Sequence, residues 1–275
     1  MSTSLPKIVW LISYPKSGTT WLRSIVTALC NEGKVHINQL LEETNYLENR
    51  YVFQQATDLP IELMNRREIN QLRPFLVDYL RRKHPFQRPL YIKSHDRYGS
   101  PQKGYIIPET TQGIIYIIRN PLAIAPSLAH YLSVSNDQAI ECLANEDMVF
   151  GSSHVFLSRT GSWSTHVRDW TSEKGIPLAV VRFEDLKHAP FDTLSSAFAK
   201  LHLHFPPHLL RKTIQATEFK KLKSQEQQTP YEGVPRNHVF FRRGEAESWK
   251  QELTTDQQKR IINRHGTIME QFGYL

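Results

Sequence analysis

The chain has very little cysteine. Two residues, Cys30 and Cys142, in 275 exclude a disulfide framework and offer no metal-ligand spacing. Two thiols this far apart read as ordinary residues of a reducing compartment. Long apolar runs are also missing, and no stretch approaches the roughly 20 residues that a membrane-spanning helix needs. The first apolar run is short and passes directly into a Gly-containing turn without a small-residue cleavage site, so it does not read as a signal peptide. A soluble, cytoplasmic protein without a membrane partner is expected. There is no internal repeat and no low-complexity segment. The net charge of +7 favours an anionic ligand, but the basic residues fall only in small clusters such as RRK (81–83) and FKKLK (219–223). No dense basic stripe or nucleic-acid reading motif appears, so no nucleic-acid partner is expected.

What is present begins at SYPKSGTTW (13–21). Upstream lies the apolar run IVWLI (8–12), and downstream TTWLRSIVTALC (19–30) is apolar at helical spacing. A buried strand, a short Gly turn and a helix together form a site that attracts phosphate. The first N–H groups of the helix lack intrahelical partners, and its dipole is positive there. Lys16 adds a mobile charge and Gly18 admits close backbone approach. Ser17, Thr19 and Thr20 add hydroxyl donors.

Further along, residues 36–60 read as irregular with short helical pieces. Residues 61–84 read as a helix kinked or split at Pro74. Strands are expected at PLYIKSHD (89–96), GIIYIIRNP (113–121) and IPLAVVRFEDL (176–186). Helices are expected at 121–132, 161–175, 191–202, 207–217 and 255–272. Trp163, Val167 and Trp170 share one apolar helix face and read as core. Glu184 and Asp185 read as caps of the helix that follows. The segment 133–158 is mixed, and the polar segment 224–237 reads as a long loop and a candidate lid over the site. Strands alternating with helices predict an α/β domain with a central parallel sheet flanked by helices, a single domain over residues 1–275. Ligands of such sheets sit beyond the carboxyl ends of the strands. Three polar clusters fall at such ends: residues 14–20, 93–96 and Arg119-Asn120.

A metal-dependent nucleotide kinase is the first rival. Its phosphate loop ends GK[ST], with a hydroxyl on Mg²⁺, and a neighbouring strand ends in a metal-binding Asp. Here Lys16 precedes Gly18, no GK[ST] occurs, and the apolar strand ends in Arg119. That arrangement favours a nucleotide with more than one phosphate group, bound without metal. His95 follows a strand two residues after Lys93 and is the candidate general base, with Lys16 stabilising the leaving group and Lys93 as an electrostatic helper.

Taken in order, SYPKSGTTW, KSH, IIRNPLAIAPS, GSW-x-x-HV-x-x-W, FED and FFRRG-x-x-x-x-W resemble the cytosolic-type sulfotransferases. These enzymes move a sulfuryl group from 3′-phosphoadenosine 5′-phosphosulfate (PAPS) to an acceptor and release 3′,5′-ADP (PAP). The resemblance runs from about residue 8 to the end of the chain, and it implies a P-loop-like three-layer sandwich. It implies that Lys16, Ser17, Gly18, Thr19 and Thr20 hold the 5′-phosphosulfate and that Trp21 stacks on adenine. By the same resemblance Arg119, Ser127, Arg242, Arg243 and Gly244 meet the 3′-phosphate, and Thr217 and Phe219 lie near the adenine. Phe183 falls where relatives often carry Tyr, without its hydroxyl. The family's catalytic His matches His95. No metal is implied, and the acceptor is a small-molecule hydroxyl or amine. Its walls are expected around residues 46–53 and 134–150. A dimer element of many relatives, K-x-x-x-T-V-x-x-x-E, is degraded in KQELTTDQQK (250–259), where Thr255 replaces Val and Lys259 replaces Glu. That dimer is therefore not expected. A non-catalytic nucleotide-binding relative is the other alternative, and intact Lys16 and His95 weigh against it.

Overall fold

A computed structural model of the chain describes residues 5–42, 44–85, 88–99, 108–152, 155–172, 175–232 and 239–275. Its centre is β1 (Ile8–Ser13), buried at every residue. Around it lie β2 (Thr44–Tyr46), β3 (Leu90–Ser94) and β4 (Thr111–Ile118). A hairpin of β5 (Val149–Ser152) and β6 (Val155–Arg159) stands apart, and β7 (Leu178–Arg182) closes the main sheet. The five-stranded sheet has the order β2-β3-β1-β4-β7 and is parallel throughout. β1 therefore sits where the strand order reverses, and its following turn opens at the carboxyl edge of the sheet.

Both faces of the central strands are apolar, as a doubly covered parallel sheet requires. Alternation alone therefore cannot set the register of β1. Side-chain size and the Trp10 indole N–H, which donates to Thr111 Oγ1 at 2.9 Å, give it a defined partner in β4. Ile8, Trp10, Ile12, Ile92, Ile114 and Tyr116 pack on one side. Val9, Leu11, Ile115, Ile117 and Val181 pack on the other.

The helices follow the capping chemistry of the sequence. α1 (Thr19–Cys30) starts directly after Gly18, which takes the left-handed conformation. α2 (Arg50–Thr57) is capped by Asn49. α3 (Arg66–Lys83) opens on an Asn65/Glu68 capping box. α4 (Pro121–Leu132) has Asn120 as its cap and Pro at its first position. α5 (Asn136–Ala144) and α6 (Trp163–Thr171) follow Ser135 and Ser162. α7 (Phe183–His188), α8 (Pro190–Lys200), α9 (Pro207–Ala216), α10 (Phe219–Gln228) and α11 (Trp249–Glu252) lead to α12 (Thr255–Gln271), capped by Thr254. Residues of α3, α4, α6 and α12 cover one face of the sheet, and those of α1, α8 and α9 the other. This is the expected three-layer sandwich. Among the described residues no helix is long and apolar enough to cross a membrane.

Several local expectations change. Residues 61–84 split before the helix rather than at Pro74, because Ile61–Leu63 forms a separate 3-10 turn. α3 then runs unbroken through Pro74, which stands on the exposed side where solvent can satisfy the backbone. The irregular stretch 36–60 contains β2, a short edge strand without a periodic signature. The expected loop 224–237 is helical to Gln228 as part of α10, and residues 233–238 lie outside the described set. Glu184 does not cap α7. Its carboxylate accepts from the Asn120 N–H at 3.1 Å and from the Tyr274 hydroxyl at 3.1 Å. In the degraded dimer element, Thr254 is the α12 cap and Lys250 pairs with Glu247 at 2.8 Å.

Asp96, next in sequence to His95, points elsewhere. It forms a buried ion pair with Arg73 of α3, and its other oxygen accepts from the Arg159 N–H at 2.7 Å. Removing one partner of such a pair leaves an uncompensated buried charge. Arg73→Met is expected to lower unfolding free energy by about 3–5 kcal/mol, measured by urea titration of the purified variant. A change within error would mean that Asp96 is neutral in the folded chain.

Candidate active site

The turns after β1, β3, β4 and β7 meet at one edge of the sheet, around a cleft of about 610 Å³. Lys16, Gly18, Thr19, Thr20 and Trp21 line it, as do Lys93, His95, Arg119, Ser127, Phe183, Phe219, Arg242, Arg243 and Gly244. Fourteen of the sixteen residues singled out in the sequence thus come from six separate segments to one cavity. Ser17 and Thr217 do not line it. Ser17 is fully buried, and its hydroxyl has no partner in the structure. The Thr217 hydroxyl turns back to the Thr213 carbonyl at 2.9 Å, while its own carbonyl accepts from the Trp21 indole at 2.9 Å. Thr217 therefore acts on the cleft through Trp21.

The Gly18 turn is tight for two reasons. Gly18 has φ +99°, and a Cβ there would stand 2.6 Å from the Phe183 ring. Gly244 repeats the case on the opposite wall, with φ +67° and a virtual Cβ 2.3 Å from Phe219. Phe183 lies edge-on to Trp21 at 5.7 Å and beneath the Arg119 guanidinium at 4.5 Å. Phe183 thus offers the cleft a ring without a hydroxyl, in contact with both an indole and a guanidinium.

Lys16 also has positive φ, +70°. Its ammonium lies 4.5 Å from the Tyr131 ring centre and 4.7 Å from that of Phe240. Burial, then the charges of Arg119 and Arg242, push it down to about 7. Arg119 donates to the Lys16 carbonyl at 3.1 Å and to the Glu245 carbonyl at 3.3 Å, and its buried Nε has no partner. Arg242 and Arg243 both reach Glu252, at 2.5 and 3.4 Å. A cluster of cations with so few carboxylates suits a multiply charged anion.

His95 stands across the cleft from this cluster's turn. Its Nδ1 lies 2.8 Å from the Ser13 carbonyl and 3.2 Å from the Ser13 hydroxyl. A carbonyl can only accept, so Nδ1 carries the hydrogen and the Nε2 lone pair is free. No partner meets Nε2 among the described residues. Burial, followed by the charge of Lys93, holds the imidazole well below its usual range, so it is neutral near pH 7. Lys93 is buried, with its ammonium 3.2 Å from the Tyr46 ring centre, and burial lowers its pKa as well.

Four residues make positioning contacts that the sequence reading did not assign. His166 of α6, pushed down to about 3 by burial, donates from Nε2 to the His95 carbonyl at 3.1 Å and accepts from Tyr116 at Nδ1. One turn on, Trp170 donates its indole N–H to the Asp96 carbonyl at 2.7 Å. The core face of α6 thus clamps two successive carbonyls of the catalytic turn, and the i, i+4 spacing of His166 and Trp170 was the available signal. Glu226 of α10 accepts from the N–H groups of Phe240 and Phe241 at 2.6 and 2.9 Å, which fixes the FFRRG segment. Lys187 of α7 donates to the Gly244 carbonyl.

Known proteins are similar to this chain in sequence and fold. The chain is 25% identical over 271 residues to sulfotransferase 1B1 of Canis lupus familiaris, covering 94% of this chain and 82% of that one. Against flavonol 3-sulfotransferase of Flaveria bidentis it is 25% identical over 276 residues, with coverages of 93% and 80%. In fold it is similar to a retinol dehydratase solved with androsterone and PAP, with a TM-score of 0.66, 15% identity and coverages of 97% and 82%. Mouse sulfotransferase SULT7A1 complexed with PAP gives a TM-score of 0.61, 21% identity and coverages of 96% and 84%. The family profile described as the sulfotransferase domain matches residues 6–273. With nearly its whole length matched, the chain belongs to the sulfotransferase family.

Proposed function

We propose that this chain transfers the sulfuryl group of PAPS to a hydroxyl or amine of a small-molecule acceptor and releases PAP. One observation carries the reading: a neutral His95 with its Nε2 unengaged opens into the same cleft as Lys16 and the Gly18 turn. The fit to the nucleotide rests on the cation cluster, the orphaned Nε of Arg119, and the close approach that Gly18 permits. Two neighbours in fold were solved with PAP.

In this assignment Lys16, Gly18, Thr19 and Thr20 hold the 5′-phosphosulfate at the N-terminus of α1. Trp21, Phe183 and Phe219 form the apolar wall for the adenine. Arg119, Ser127, Arg242, Arg243 and the Gly244 backbone hold the 3′-phosphate. PAPS supplies the sulfuryl group and a phosphate leaving group. His95 Nε2 accepts the acceptor's proton as the new S–O or S–N bond forms, and Ser13 keeps the imidazole in the required tautomer. Lys16 neutralises the charge that develops on the departing phosphate oxygen, with Lys93 adding positive field. Protein cations take the part that a metal plays in a nucleotide kinase.

Titration calorimetry with PAP, with and without Mg²⁺, tests the site. Binding near 1 μM, about −8 kcal/mol, and independent of Mg²⁺ is expected. No binding, or binding only with Mg²⁺, would return the kinase reading. Turnover of labelled PAPS over a panel of phenols, alcohols and amines then separates an enzyme from a non-catalytic relative.

A further inference from the structure

The acceptor end of the cleft carries a residue with no part in the scheme above. Arg23 lies in the second turn of α1, lines the cleft and is only 6% exposed. Its Nε donates to the Thr44 hydroxyl at 2.9 Å, and Nη2 donates to the Thr44 carbonyl at 3.1 Å. A guanidinium has five N–H donors and stays charged in proteins. Nη1 has no acceptor among the described residues, and no carboxylate there lies within ion-pair distance of Arg23. Thr44 is an edge-strand tether that uses the inner side of the fork and leaves the outer corner toward the cavity.

The surroundings do not supply the missing counter-charge. Asp96 is committed to Arg73 and to the Arg159 N–H. Glu48 accepts from the Ser94 hydroxyl, and its other oxygen is buried without a partner. Burial, with the nearby charge of Asp96, raises the Glu48 carboxyl to about 7, well above the usual carboxylate range. Lys93 adds a second cation to the same recess. A buried guanidinium without a carboxylate is expensive unless a ligand completes it. The nucleotide has its own cations in Lys16, Arg119, Arg242 and Arg243, so the charge that Arg23 lacks belongs on the other reactant. The surroundings of His95 are aromatic. Tyr46 and Phe150 both stand edge-on to the imidazole, at 6.4 and 5.9 Å between ring centres.

We infer that the acceptor is an anionic aromatic hydroxy acid, its hydroxyl at His95 and its carboxylate on Arg23. The inference rests on the sulfotransferase reading and narrows its substrate class. A neutral phenol would leave Arg23 buried and unpaired. A carboxylate would complete the fork and the local charge balance together.

The test uses matched pairs on the PAP-loaded protein and in turnover with PAPS. The probes are 4-hydroxybenzoate, 4-hydroxyphenylacetate and 3-(4-hydroxyphenyl)propanoate, each against its methyl ester. In at least one pair the acid is expected to surpass the ester roughly ten- to hundredfold in affinity and in kcat/KM, the range of a charge-assisted hydrogen bond. Arg23→Gln is expected to bring that ratio near one by weakening the acid alone, with PAP affinity and ester turnover kept. Arg23→Lys retains part of the preference, and serves if Arg23→Gln does not fold. Acid and ester equal, or both inert, in every pair would overturn the inference. So would an unchanged ratio in the variants with only a lower Tm, since Arg23 would then be a tether to Thr44. Failure of PAP to bind would instead overturn the sulfotransferase reading beneath it.

Discussion

Replacing His95 with Ala is expected to lower kcat by roughly a hundred- to ten-thousandfold, the contribution of a positioned general base, while PAP affinity stays within twofold. The split follows from where the residue stands. His95 is fixed through Nδ1 by the Ser13 carbonyl and through its own carbonyl by His166, so the ring presents Nε2 and nothing else to the cleft. Among the described residues it makes no hydrogen bond to Lys16, Arg119, Arg242 or Arg243, the cations proposed to hold the nucleotide. His95→Gln keeps a polar group in place but cannot take a proton, and the same loss is expected from it. The pH profile supplies a second readout. Burial holds the imidazole well below its usual range. The base is lost as pH falls through its folded value, so the acid limb of kcat/KM is expected at lower pH than that of an ordinary histidine near 6.5. Rates of His95→Ala within threefold of the parent with any active acceptor would remove the residue from the mechanism.

Lys16→Met is expected to cost roughly a hundred- to thousandfold in kcat, the range for one donor aimed at a developing oxyanion, and to weaken PAP as well. Methionine keeps most of the apolar length of the side chain and removes the ammonium, so the charge is lost together with its contacts over the Tyr131 and Phe240 rings. The parent gives a distinct pH signature. Before nucleotide binds, burial and the charges of Arg119 and Arg242 hold Lys16 near 7. A bound phosphate reverses that balance and raises the value. Affinity for PAP is therefore complete below about pH 7 and falls as pH rises above it, until the higher bound-state value is reached. Binding near pH 8 takes up a proton, which calorimetry in buffers of different ionisation enthalpy detects. In Lys16→Met that uptake is expected to vanish. Uptake that persists in the variant would assign the proton to another group.

Much of the site was legible because its signals are local. A strand, a Gly turn and a helix occupy about 23 consecutive residues, and each step has its own chemistry: an apolar run, a positive φ at Gly18 and apolar residues at helical spacing. Lys16, His95 and Arg119 were visible as polar residues ending apolar strands. Misreadings arose where local signals were weak or shared. β2 is three residues long and its partner lies some 47 positions away, so no periodicity marks it. Polar residues 224–228 look like loop, yet Glu226 serves the backbone of Phe240 and Phe241 and needs a helix to reach them. Trp170 is core, as its face indicated, and its single polar atom also holds the Asp96 carbonyl.

By itself the sequence determined the doubly covered parallel sheet, the strand-end position of the phosphate turn and its lack of a GK[ST] loop. These follow from periodicity and turn chemistry over spans of ten to twenty residues. Only the tertiary structure decided which nitrogen of His95 is free, what depresses Lys16, why Ser17 and Thr217 stand behind the wall, and that Arg23 lines the cleft with no carboxylate at ion-pair distance among the described residues. Those properties depend on burial and on partners tens to hundreds of residues away. Neither exists until the sheet has brought its strand ends to one edge.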